Sequence, residues 1–308
     1  MRIARADEQR SAVRRVRVAA VLAGAWFSAT LPVANGRVVQ QQLVPRFSSG
    51  VSLVELSVTV AGADGGPITD LKSGDFAVYE DGEPQMVTAF AAGSFPLAVA
   101  VAVDRSWSMA GEPLALAKAA ARDFLAGLRP SDRSMIIAIG SETEKIEPLA
   151  GDRASQYRAL NELHRWGTTP LYDSIIRAID LLQPVTSRRA LVLLSDGQDR
   201  YSHATSDEAL DRARRSDVII YPIALGKEPS RFFLELAVLT GGRSFHQRDP
   251  RKLTDTLGSI ARELRAQYLL GYTPSRPMVP GSHEWRSIEV KVDRRGTRAR
   301  TRDGYLVK

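Results

Sequence analysis

Not one cysteine occurs in the 308 residues, which excludes disulfides and lipid attachment at a leader cysteine and leaves stability to an apolar core. Histidine is nearly as scarce. His164, His203, His246 and His283 stand in no nucleophile elbow and at no metal spacing, so a Ser-His-Asp hydrolase has no base to use and surface or capping roles fit them better. A strong charge of one sign is also missing. The formal charge is +7, but residues 1–36 hold six arginines against Asp7 and Glu8, and without that segment the balance falls to +3, too mild for nucleic acid. The apolar run from Val18 to Leu31 falls short of the roughly 20 residues needed to span a bilayer. After the first buried strand, VDRSWSMAG lacks the glycine spacing of a dinucleotide-binding turn. What remains is globular composition, 44% hydrophobic and 25% charged.

Residues 1–36 have the form of an export signal, with arginines from Arg2 to Arg17 ahead of VAAVLAGAWFSATL and small residues in VANG. Cleavage near Ala34 or Gly36 would leave a secreted or periplasmic protein with no membrane span; an uncleaved anchor in the envelope is the alternative. Arg14-Arg15 lacks the rest of a twin-arginine pattern. Residues 37–50 read as a linker, polar and ending in Ser-Ser-Gly.

From residue 51 the pattern becomes that of strands. In VELSVTV the residues Val54, Leu56, Val58 and Val60 alternate with polar neighbours, and short strands are expected around Phe76 to Tyr79 and Met86 to Phe90, joined through Asp81-Gly82. Residues 51–94 thus form part of a β module. At Pro96 the texture changes, because LAVAVAV is apolar on both faces, as in a parallel strand between helix layers. Helix and strand patterns then alternate over 95–250: a helix from Pro113 to Leu128, MIIAIG, helices near 152–164 and from Pro170, ALVLL, a helix near 206–215, VIIYPIAL, a helix near 230–240, and RSFH. Such alternation implies an α/β, doubly wound, mostly parallel sheet. Residues 251–308 supply a helix and further strands (AQYLLGY, SIEVKV), which should return to the amino-terminal β module, since neither piece has enough strands alone.

Ligands of an open α/β sheet bind beyond the carboxyl ends of the strands, near the point where strand order reverses. There the chain places Asp104-Arg105-Ser106-Trp107-Ser108, Gly167-Thr168-Thr169-Pro170 and Ser195-Asp196-Gly197-Gln198-Asp199. Hard oxygen donors with few carboxylates suit Mg²⁺, with Mn²⁺ or Ca²⁺ as alternatives, and the neutral hydroxyls leave the ion's charge under-compensated, so that it can take a carboxylate from another molecule.

At these residues the sequence resembles the von Willebrand factor A family, whose metal-ion-dependent adhesion site uses Asp-x-Ser-x-Ser, a distant Thr and a later Asp. The resemblance implies metal ligands at Asp104, Ser106, Ser108, Thr169 and Asp196, the last through water; Thr169 is chosen over Thr168 from a Gly-Gly-Thr pattern that reads Gly167-Thr168-Thr169 here. DFAVYEDGEPQ, TTPLYDSI, LLSDGQD and AQYLLGYTP resemble the bacterial exported "VWFA-related" group over roughly residues 50–308. A haloacid dehalogenase would want a second carboxylate where Ser106 stands. Trp107, Trp166, Arg105, Arg165 and Arg200 share the same loops and are candidates for partner contact. The expected function is metal-dependent binding of an acidic protein or peptide group rather than catalysis. The alternatives are a metal-independent assembly module of an envelope complex and an unrecognised metal-dependent hydrolase. Neither the partner nor the oligomeric state is legible.

Overall fold

The computed structural model describes residues 53–93, 95–226 and 228–307. The export segment and the linker lie outside the described residues.

The chain begins with β1 (Val54–Ala61), β2 (Phe76–Glu80), β3 (Glu83–Gln85) and β4 (Val87–Ala92). The central part follows as β5 (Leu97–Asp104), α1 (Glu112–Ala126), β6 (Arg133–Ile139), β7 (Thr143–Ala150), α2 (Arg153–Glu162), α3 (Leu171–Leu182), β8 (Arg188–Ser195), α4 (Ser206–Arg214), β9 (Val218–Leu225), α5 (Arg231–Thr240), β10 (Phe245–Gln247) and α6 (Leu253–Arg265). The tail adds β11 (Tyr268–Tyr272), β12 (Trp285–Val292), β13 (Arg298–Arg300) and β14 (Gly304–Leu306).

The central sheet has the order β10-β9-β8-β5-β6-β7 and is parallel except for β7. Every residue of β5 is buried, because both of its faces are covered. Leu97, Val99, Val101 and Val103 join the stripes of α1 and α6, and Ala100 and Ala102 meet α3 and α5 on the other side. The helices start where local chemistry stops the strands. Asp152 accepts from the amides of Ala154 and Ser155 at α2, and Thr205 with Glu208 forms a capping box at α4. β7 is a departure from expectation: TEKIEPLA is too charged to read as a strand, yet it closes the sheet as an antiparallel edge, where one side faces water. From β5 the chain passes to β6 on one side, and it later enters β8 on the other. The carboxyl ends of β5 and β8 therefore flank the switch point where a ligand crevice opens.

The outer strands make a sandwich of two sheets, β13-β1-β11-β4 and β14-β12-β2-β3. Both contain strands from either end of the chain: β11 lies between β1 and β4 with Leu270 opposite Leu56 and Phe90, and β12 pairs β2 with Val290 opposite Val78. Leu56, Val58, Val78, Tyr268, Leu270 and Tyr272 fill the shared core. Strands of the tail pair with those of the amino-terminal segment, and the turn at Asp81-Gly82 departs from expectation. It joins β2 to the three-residue strand β3, with φ of 49° and 85°, whereas β4 crosses to the opposite sheet.

A charged cluster sits inside this sandwich. Arg286 donates to Glu80 at 3.0 Å, with side chains 1% and 2% exposed, and Glu80 also accepts from the hydroxyls of Tyr272 at 2.7 Å and Tyr305 at 2.9 Å. Burial, and then the bonded Glu80 carboxylate, push the Tyr305 hydroxyl up to about 12, and Tyr272 is driven the same way. A hydroxyl whose folded pKa lies above its unfolded value of about 10 stabilises the fold fully below pH 10 and loses that contribution as the pH climbs to 12. Circular dichroism should therefore show falling stability between about pH 10 and pH 12, with a shallower decline for Tyr305→Phe.

Candidate metal centre

Asp104 ends β5 and is fully buried. One carboxylate oxygen accepts from the Ser106 amide at 2.9 Å, and the other from the Ser195 hydroxyl at 2.7 Å, with the Thr169 hydroxyl 3.5 Å away. The Ser106 and Ser108 hydroxyls lie 3.0 Å apart. Ser106 and Thr169 are buried, Asp196 is half-buried and Ser108 is exposed, so the group runs from the sheet edge to the surface. Burial raises the Asp104 carboxyl above its ordinary value; donors from Ser106 and Ser195 oppose this, and the negative charge of Asp196 adds to it. Among the described residues no basic side chain forms an ion pair with Asp104.

Backbone bonds hold the three loops together. Trp107 N–H donates to Gly167 O at 3.2 Å, Trp166 N–H to Arg105 O at 2.7 Å, and Arg200 N–H to Thr169 O at 2.7 Å. Gly167 has φ of 75° and packs on Ser141 so closely that a β-carbon would collide with it. Asp199 accepts from the amides of Leu171 at 2.8 Å and Tyr172 at 3.3 Å, so the SDGQD loop caps the helix that follows Thr169.

All five expected ligand positions converge on this edge. The expected contact residues divide into two groups. Arg165 and Arg200 are exposed, as are Trp107 at 61% and Trp166 at 41%, with Arg165 stacked over Trp107 at 4.8 Å. Arg105 differs: its side chain is 13% exposed, bonded to Glu144 at 3.0 Å and stacked on Trp166 at 4.9 Å, so it braces the loop instead of standing free at the rim. Sequence reading places Ser195 and Asp199 on this edge but gives neither a role: Ser195, the last residue of β8, donates to Asp104, and Asp199 caps α3. Tyr201, 80% exposed with φ of 73°, lies beyond the motif.

A doubly wound sheet with Asp-x-Ser-x-Ser at its switch point defines a class, and comparison with known proteins agrees. Residues 99–198 match the von Willebrand factor type A domain, and this chain carries a domain of that family. Among solved structures it is similar to a von Willebrand factor type A protein from Catenulispora acidiphila, with 14% identity and a TM-score of 0.52 over 85% of this chain and 74% of that one. It is also similar to BatB from Bacteroides thetaiotaomicron (16% identity, TM-score 0.45, covering 54% and 98%) and to mussel byssus proximal thread matrix protein 1 with a zinc-occupied MIDAS motif (16%, 0.48, covering 60% and 49%). No curated protein sequence matches the chain. Among the described residues, no helix is long and apolar enough to cross a membrane.

Proposed function

We propose that the protein is an exported binding protein that holds a divalent cation, Mg²⁺ or Mn²⁺, through Asp104, Ser106, Ser108, Thr169 and Asp196, and uses it to recognise an acidic group of a protein partner. The observation that carries this reading is Asp104, a fully buried carboxylate with hydroxyl and amide donors but no ion pair among the described residues. A buried charge is costly unless paired or bound to a metal. Oxygen donors, two of them carboxylates, fit a hard cation, and three hydroxyls leave its charge incompletely neutralised. The bound cation would supply an electrophilic contact for an incoming carboxylate. Trp107, Trp166, Arg165 and Arg200 surround that approach, and Trp and Arg are the residues enriched at interface hot spots.

Calorimetric titration of Mg²⁺ tests the site. Wild type should show one saturable site, and Asp104→Ala should lose it while its far-ultraviolet spectrum is unchanged. Unaltered affinity in the variant would move the site elsewhere. The rim is tested by association rates: Arg165→Glu with Arg200→Glu should slow capture of an acidic partner several-fold at low salt, an order-of-magnitude expectation for steering, and leave Mg²⁺ affinity equal or slightly higher. Equal rates would make these arginines bystanders.

A further inference from the structure

A cleft of about 520 Å³ opens at the opposite pole, between the amino ends of β8 and β9 and the sandwich. Five arginines line it, Arg188, Arg189, Arg214, Arg215 and Arg302, against two acidic residues, Glu55 and Asp217. Their pairing is incomplete. Arg189 and Arg302 share the single carboxylate of Asp217. Asp303 and Asp211 hold Arg214 and Arg215 at 3.0 and 2.8 Å, while Arg188 bonds the carbonyls of Phe95 and Leu264 and the amide of Gln267 and forms no carboxylate pair among the described residues. A guanidinium carries five N–H donors, so those held by one carboxylate still have donors to offer.

The second observation is backbone. β13 covers β1 only from Thr59 to Ala61, so Val54 to Val58 have no strand partner on that side among the described residues. Arg302 donates to Glu55 O at 3.1 Å from that side, which shows where the Glu55 peptide group points. Residues two apart point alike, so Ser57, which also lines the cleft, presents its N–H and C=O there too. A free edge beside a cleft is a template for strand addition. Leu269, Met278 and Leu306 add apolar lining.

We propose that this cleft binds an extended acidic peptide segment of a partner protein, which adds as a strand to β1 at Glu55 and Ser57 while its carboxylates meet the arginines. Residues 37–52 of this chain carry Arg37 and Arg46 and no acidic side chain, so charge disfavours them as occupant. This site is independent of the metal centre, and the test runs in chelator.

The probe is a fluorescent, end-blocked hexapeptide of alternating glutamate and valine, followed by anisotropy against the full chain. Saturable binding that is at least tenfold tighter than for the lysine and valine counterpart, and that weakens with salt, is expected. Arg214→Glu with Arg215→Glu, at exposed positions, should weaken it tenfold or more. Ser57→Pro should do the same, because it removes an N–H directed at the ligand from an edge where proline is tolerated. Circular dichroism identifies any variant that fails to fold, and the charge reversal and the proline act through different elements, so either one alone decides. Equal binding of both peptides, no binding by the folded wild type, or wild-type affinity in a folded variant would overturn the proposal. So would displacement by inorganic phosphate as effective as by unlabelled peptide, which would mark an anion site without strand pairing.

Discussion

Arg286→Met should destabilise the protein by about 3–5 kcal/mol, the range for removing one partner of a buried ion pair. The methionine leaves Glu80 charged inside the sandwich with only the Tyr272 and Tyr305 hydroxyls to satisfy it. It also strips donors from the carbonyls of Arg276 and Pro277, which Arg286 reaches at 2.9 and 2.7 Å. Tyr272→Phe removes one hydrogen bond to a charged acceptor and should cost less, about 1.5–3 kcal/mol. Urea unfolding of the two variants gives the order. Glu80 lies on β2, Tyr272 on β11, Arg286 on β12 and Tyr305 on β14, so the lesion should loosen strands from both ends of the chain together. Limited proteolysis of Arg286→Met should then cut within residues 54–92 as well as in the tail. A loss below about 1 kcal/mol, with that segment still resistant, would mean that the cluster is replaceable by apolar packing.

That cluster also shows where sequence reading ends. LAVAVAV, ALVLL and VIIYPIAL announce themselves because strands buried on both faces are continuously apolar, and every residue of β5, β9 and the last six of β8 is buried. The Asp104 and Asp196 loops follow directly from those strands, so finding the strands finds the loops. Glu80 and Arg286, in contrast, each fall one residue outside the strands that the pattern shows, Phe76 to Tyr79 and SIEVKV, and nothing local marks them as buried. Their burial depends on a pairing across 206 positions that no local pattern encodes. The same holds for β4, whose neighbour in the sheet is β11 rather than the strand before it. Asp81-Gly82 was legible as a turn; which strand it led to was not, because EPQ is too short to show a period. Arg105 looked like a rim cation until Glu144, on the unexpected strand β7, supplied its partner.

Asp104→Asn should reverse its effect on stability according to whether metal is present. In chelator, the wild-type carboxylate is buried beside the like charge of Asp196 without an ion pair among the described residues, a condition that favours the neutral side chain. The asparagine oxygen can accept from the Ser106 amide. Its amino group would face the Ser195 and Thr169 hydroxyls, which can turn to accept. The variant in chelator should therefore melt at or above wild type. With Mg²⁺ at a hundred times its dissociation constant, wild type should gain about 2.7 kcal/mol by mass action and the variant almost nothing, so the order inverts. Differential scanning calorimetry with chelator and with Mg²⁺ measures all four states. If the variant melts well below wild type in chelator, Asp104 is there for the loop structure rather than for a cation. If Mg²⁺ stabilises both proteins equally, the cation binds somewhere other than the end of β5.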